Sequence, residues 1–90
     1  MGGSRKPRKI SCAANRWTNV LWIGGAFIYI KYTVKVGDKN RVSYRRYGAT
    51  ITPPYWEGRF SGTDTFALYP WEFYLRVDIK PSIDIIVEVY

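Results

Sequence analysis

The stretch "FIYIKYTVKVGDKNRVSYRRYGATI", Phe27 to Ile51, decides how this chain folds. Ile28, Ile30, Tyr32, Val34 and Val36 recur at every second position, and Phe27, Tyr29, Lys31, Thr33 and Lys35 fill the places between them. Successive side chains of a strand point to opposite faces, so this spacing predicts a strand over 27–36 with one apolar face. Gly37-Asp38-Lys39-Asn40 has turn chemistry, so the residues after Asn40 read as the return strand of a β-hairpin. Pairing Val36 with Val42 sets Lys35 against Ser43. Pairing Val34 with Val42 instead stacks Lys35 on Arg41 and Lys31 on Arg45, so like-charge repulsion favours the first register. On the return strand the inner positions begin at Val42 and Tyr44 and resume at Tyr47, Ala49 and Ile51, shifted by one residue. A β-bulge at Arg45-Arg46 reconciles the two halves and aims a guanidinium off the ladder.

Working outward, residues 1–10 read as a flexible basic arm, in which Arg5, Lys6, Arg8 and Lys9 repel one another and Gly and Pro discourage regular structure. Residues 11–23 admit two readings. Ser11 can cap a helix carrying Ala13, Ala14, Trp17 and Leu21, or a strand can begin at Trp17. The β-branched and aromatic content favours the strand. Pro53-Pro54 end the return strand, 55–64 reads as a Gly-rich connection, and Thr65 to Tyr69 as a short strand. Phe73, Leu75, Val77 and Ile79 then alternate with polar residues, Pro81-Ser82 turn the chain, and Ile83, Ile85, Val87 and Val89 supply a last apolar face. For that hairpin, Ile79 opposite Ile85 is favoured, because it aligns Lys80 with Asp84 and Arg76 with Glu88. The expected fold is all-β: about five short antiparallel strands in a small, partly open barrel or sheet, one domain over 11–90 behind the arm. The alternative is an α+β sheet covered by an N-terminal helix.

Ninety residues limit how much surface folding can bury. Four Trp, eight Tyr and four Phe compensate, and they exceed what so small a core holds. Some rings are therefore expected on the surface. The net charge of +7 is unevenly spread: residues 1–46 carry eleven basic residues and one acid, residues 47–90 three and six. Such asymmetry points to an anionic partner for one part of the molecule.

Histidine is absent, and the single Cys12 makes neither a disulfide framework nor a zinc site. Cys12 reads as a small buried hydrophobe. No phosphate-loop ending follows the glycines of 57–62, and no nucleophile has an evident base. The expectation is a non-catalytic protein without cofactor or metal. "NVLWIGGAFIYI", Asn19 to Ile30, is too short to span a bilayer as a helix and lacks a cleavage site. Met1-Gly2-Gly3-Ser4 begins like a myristoylation signal, but Lys6 stands where Ser or Thr is required. A soluble intracellular protein is expected, in the cytoplasm or within a nucleoprotein assembly.

Rings interleaved with cations suit single-stranded nucleic acid, with rings stacking on bases and cations tracking phosphates. The residues expected to bind DNA or RNA, single-stranded in preference, are Arg5, Lys6, Arg8 and Lys9 of the arm and Tyr29, Lys31, Lys35, Arg41, Arg45 and Arg46 of the hairpin. Two alternatives are a structural or assembly protein, in a virion or larger complex, working through protein–protein contacts or self-association, and a small protein inhibitor or adaptor.

Overall fold

The computed structural model describes residues 6–25, 27–48 and 55–90. Six strands form one antiparallel sheet: β1 (Arg8–Cys12), β2 (Thr18–Gly24), β3 (Ile30–Gly48), β4 (Tyr55–Leu68), β5 (Tyr74–Lys80) and β6 (Ile85–Val89). The sheet order is β1-β6-β3-β5-β2, with β4 on β3. The fold is all-β, curling into a nearly closed barrel, and the described residues contain no helix. The α+β alternative therefore falls. Residues 11–23 divide into the end of β1, a turn with Asn15 at φ 60°, and β2. An asparagine tolerates that left-handed conformation better than most side chains.

The architecture follows from β3. One of its edges pairs with β4 from Ile30↔Leu68 to Tyr47↔Tyr55. The other edge is shared: Val34 and Lys35 pair with β6, whereas Ser43 to Gly48 pair with β5. β6 then carries β1, and β5 carries β2. The β3–β4 ladder is thus a spine with two wings. It bends where Gly37, at φ 100°, faces Gly62, at φ 74°. Only glycine adopts such angles readily. Asp38, Lys39 and Asn40 have no ladder partner at the bend, and Asn40 Nδ2 closes it by donating to the Val36 carbonyl at 2.7 Å.

Several expectations are corrected here. Gly37 to Asn40 is a bulge inside one continuous strand, and 27–36 never pairs with 41–48, so neither hairpin register applies. Residues 55–64 are not a connection but the first part of β4. Gly58 sits under Tyr44, where a Cβ would come within 2.6 Å of the ring, and Gly62 serves the bend. These glycines serve a strand, not a loop. β5 and β6 do not pair, because the turn after Lys80 carries the chain from one wing to the other. Opposite charges still align, with different partners: Glu88 stands opposite Lys9 and Lys35, and Asp78 opposite Arg45.

Part of the stretch expected to be a flexible arm is strand. Arg8, Lys9 and Ile10 belong to β1, where Ile10 packs on the core and Lys9 faces Glu88. Pairing with β6 and burial of Ile10 and Cys12 outweigh the repulsion among the basic residues. No bulge occurs at Arg45-Arg46 either, since the pairing runs unbroken from Arg41 to Tyr47. The core takes Cys12, Val20, Leu21, Val34, Val42, Leu68, Leu75, Val77, Ile79 and Val87, each at most 2% exposed. Each large aliphatic side chain so buried contributes about 1.5–3 kcal/mol. Phe27, Ile28, Phe73 and Ile83, expected in strands, lie outside them and are exposed. Ala49, Ile51, Pro53 and Pro54 lie outside the described residues.

Candidate nucleic-acid interface

Alternation along β3 divides its arginines. Val42, Tyr44 and Arg46 point inward, and Ser43, Arg45 and Tyr47 outward. Arg46 reaches the rim of the core, where its Nη2 donates to both Glu72 carboxylate oxygens, at 3.0 and 3.1 Å, and to the Ala67 carbonyl at 2.9 Å. Glu72 Oε1 also accepts from the Tyr69 amide at 3.0 Å. The pair is nearly dry, with side chains 15% and 5% exposed. Arg46 is therefore a structural clamp on the 69–72 turn, and the expectation that it joins Arg45 on one surface is corrected.

The outward face spanning β4, β3, β5 and β2 is built in rows. Register sets Tyr55, Tyr47, Arg76 and Trp22 side by side, then Glu57, Arg45 and Asp78, then Arg59, Ser43 and Lys80. In the first row the Arg76 guanidinium lies 4.6 Å from the Tyr47 ring centre and 5.2 Å from that of Trp22, and Trp22 stacks on Tyr74. In the second, Arg45 lies 4.2 Å from the Trp17 ring and 4.6 Å from Tyr55, with its Nε donating to Glu57 Oε1 at 2.7 Å. Lys80 Nζ lies 5.6 Å from the centre of the Trp17 ring. Cations and rings thus alternate in contact across four strands.

Asp78 is buried although it points outward. Arg76 Nη2 and Nε donate to it at 2.9 and 3.1 Å, and Asn19 Nδ2 at 3.1 Å. Hydrogen bonding to Glu57 holds the Arg45 guanidinium above its ordinary range, and hydrogen bonding to Asp78 does the same for Arg76. Of the other acids, Asp84 accepts from the Ala14 amide, Asp64 from the Thr65 amide, and Glu72 is taken by Arg46, while Asp38 is exposed at the bend beside Gly62. Arg41, Arg59 and Lys80 form no ion pair among the described residues.

These three cations meet at one end of the face. A groove of about 230 Å³ is lined by Asn15, Arg41, Ser43, Arg59, Lys80 and Ser82, with Val42 and Pro81. It adjoins a cleft of about 400 Å³ that shares Ser43, Arg59 and Lys80 and adds Trp17, Arg45 and Glu57. Pro81 is held there by its carbonyl, which accepts from the Asn15 amide at 2.7 Å.

Of the residues expected to bind, only Arg41 and Arg45 lie on this face. Lys31 and Lys35 occupy the far half of β3, Lys31 opposite Ala67 of β4 and Lys35 opposite Glu88 of β6, because 30–48 is one strand and not a folded hairpin. The structure does bring three of the expected residues together elsewhere: Tyr29, Lys31 and Arg46 line a separate open cleft of about 370 Å³ with Tyr44 and Trp56. Lys6, Arg8 and Lys9 are exposed at β1, beside β6. Tyr29 stands at the rim, tilted against Tyr69 at 5.4 Å. Arg5 lies outside the described residues. The sequence reading missed Arg59, Lys80, Arg76, Trp17 and Trp22. Arg59, Arg76 and Lys80 fall in the half of the chain with an acidic balance, and only strand pairing carries them to Arg41 and Arg45.

A second surface lies at the rim. Phe27, Ile28, Tyr29, Trp71 and Phe73 are all more than half exposed, with Trp71 stacked on Tyr69 at 5.0 Å. The loops that carry them are joined by the Gly25 amide, which donates to the Phe73 carbonyl at 2.7 Å. Among the described residues no helix is long and apolar enough to cross a membrane. No protein-family profile, curated protein or solved structure matches the chain.

Proposed function

We propose that this protein is a non-catalytic binder of single-stranded nucleic acid and that the outward face of β4, β3, β5 and β2 is the binding surface. The observation that carries the reading is the set of rows in which Arg45 and Arg76 lie against Trp17, Tyr55, Tyr47 and Trp22, ending in three cations that form no ion pair among the described residues. Bases stack on rings and on guanidinium planes, and unpaired cations follow the phosphates. A duplex offers its bases only by their edges, so it gains less from such a face.

The test is a titration of the whole chain with unphosphorylated DNA and RNA oligonucleotides, single- and double-stranded, at two salt concentrations. Three engaged cations give a slope of log K against log salt of about −2 for a single strand. Trp22→Ala removes an exposed ring and is expected to weaken binding about tenfold, since stacking contributes roughly 1–3 kcal/mol per base. Absence of binding at low salt refutes the proposal.

A second reading, as an assembly subunit, is supported by the exposed rim of Phe27, Ile28, Trp71 and Phe73. Monomers often carry an apolar patch of a few hundred Å², and larger ones mark contact sites. Light scattering at rising protein concentration, comparing wild type with Trp71→Ser/Phe73→Ser, separates the two readings.

A further inference from the structure

Resting on that reading, we infer that the groove at Arg41, Ser43, Arg59 and Lys80 is a site for a phosphate monoester, the terminal phosphate of a bound strand. Ser43 stands directly opposite Arg59 on β4 and directly opposite Lys80 on β5. Directly paired residues hold their Cβ atoms about 4.5–5.5 Å apart, so the two cations flank one small hydroxyl on the same face. Arg41 precedes Ser43 by two positions along β3 on that face, and all three cations line the groove.

Like charges grouped in this way repel, and none of the three forms an ion pair among the described residues, Glu57 of the adjoining cleft being bonded to Arg45. Asn15, Ser43 and Ser82 are the other polar lining residues, and no acid lines the groove. Elsewhere on the same face Arg45 and Arg76 have carboxylates of their own. The uncompensated charge is therefore confined to the end that lacks rings beyond Trp17. A phosphodiester brings a single negative charge there. A monoester brings about −1.5 to −2 near pH 7 and three acceptor oxygens, which matches three cations and the Ser43 hydroxyl better.

The experiment compares short single-stranded oligonucleotides of one sequence carrying a 5′-phosphate, a 3′-phosphate or no terminal phosphate, bound to the full chain. A terminal phosphate at one end is expected to tighten binding about tenfold over the unphosphorylated strand. In Arg59→Gln/Lys80→Gln that ratio is expected to fall to about one, and Arg59→Lys should keep most of it. The ratio should also shrink between pH 7.5 and 5.5, as the monoester loses its second charge near pH 6. The protein has no histidine, and Glu57, the acid of the adjoining cleft, accepts a hydrogen bond from Arg45. Equal binding of all three oligonucleotides overturns the monoester site and leaves the face reading intact. A ratio that survives in the double variant places the phosphate elsewhere and also overturns it. Failure of every oligonucleotide to bind at low salt removes the face reading and the site with it.

Discussion

Arg45 and Arg46 are neighbours in the chain and sit in opposite environments. Arg46 is turned inward onto Glu72, within a nearly dry pair that also holds the Ala67 carbonyl and the Tyr69 amide. Arg45 is turned outward, between Trp17 and Tyr55, and its partner Glu57 is half exposed. One residue of β-strand alternation is enough to make one guanidinium structural and leave the other available. The inner face of β3 is sensitive to the loss of any partner, because a stranded charge has no water to replace it. The outer face tolerates such losses, because solvent takes their place.

The largest effect separating the two faces is expected from their acids. Glu72→Ala leaves Arg46 without its carboxylate at the rim of the core and should cost about 3 kcal/mol, the low end for a broken buried pair because Arg46 keeps some exposure. For a domain of this size that lowers the melting temperature by roughly 12–24 °C. Glu57→Gln makes the analogous change on the outer face and should leave the thermal melt where it is. Equal shifts in the two variants would erase the distinction between the faces.

A smaller loss on the inner side is expected from Gly58→Ala. The new methyl would meet the Tyr44 ring, which packs edge-on against Phe60 at 5.8 Å and Phe66 at 5.3 Å. Moving that ring should cost about 1–3 kcal/mol, as overpacking does elsewhere. Chemical denaturation with an unchanged slope would show that stability alone has altered. Cys12 gives a milder signal on the same side. Burial pushes its thiol above the ordinary value of 9.0, so the folded state keeps a proton that the unfolded state releases. Stability should then decline as pH rises through 9, and Cys12→Ala should remove that component of the slope.

How far the sequence revealed this arrangement depends on how local each signal was. The all-β class, the alternation of 30–36 and 74–80, and burial of Val34, Val42, Val77, Ile79 and Val87 were legible, because each rests on neighbours two residues away. Pairing partners were not. Gly37 to Asn40 carries the letters of a hairpin turn, yet it bends a continuous strand because β4 offers a partner on both sides of the bend. The glycines of 55–64 read as a loop for want of the Tyr44 ring that requires one of them. The shift in apolar parity at Arg45-Arg46 suggested a bulge, but Tyr47 faces outward against Arg76, and Arg46 takes an inner position with an acid far along the chain. The candidate site suffered most. Arg59 and Lys80 flank Ser43 only through two ladders, and nothing near them in sequence records either.

The smallest expected stability effect is also the most informative about the outer face, since its sign distinguishes a site from a scaffold. If Arg59 and Lys80 were there to hold the sheet together, removing them would lower the melting temperature, as Glu72→Ala does on the inner face. They pair with no carboxylate among the described residues and stand on either side of Ser43. Their mutual repulsion, with that of Arg41, therefore opposes folding, most strongly at low ionic strength where screening is weak. Arg59→Gln/Lys80→Gln should leave the melt unchanged or raise it by a few degrees in dilute buffer, with the gain fading as salt is added. The same variant should bind a single strand less tightly and with a shallower salt slope, by about 0.7 for each phosphate it no longer neutralises. A rise in melting temperature for this variant would mean that the cluster is not there for the fold. A fall in melting temperature for this variant, at constant secondary structure, would place both residues among the scaffold and take the cationic end of the face out of the binding surface.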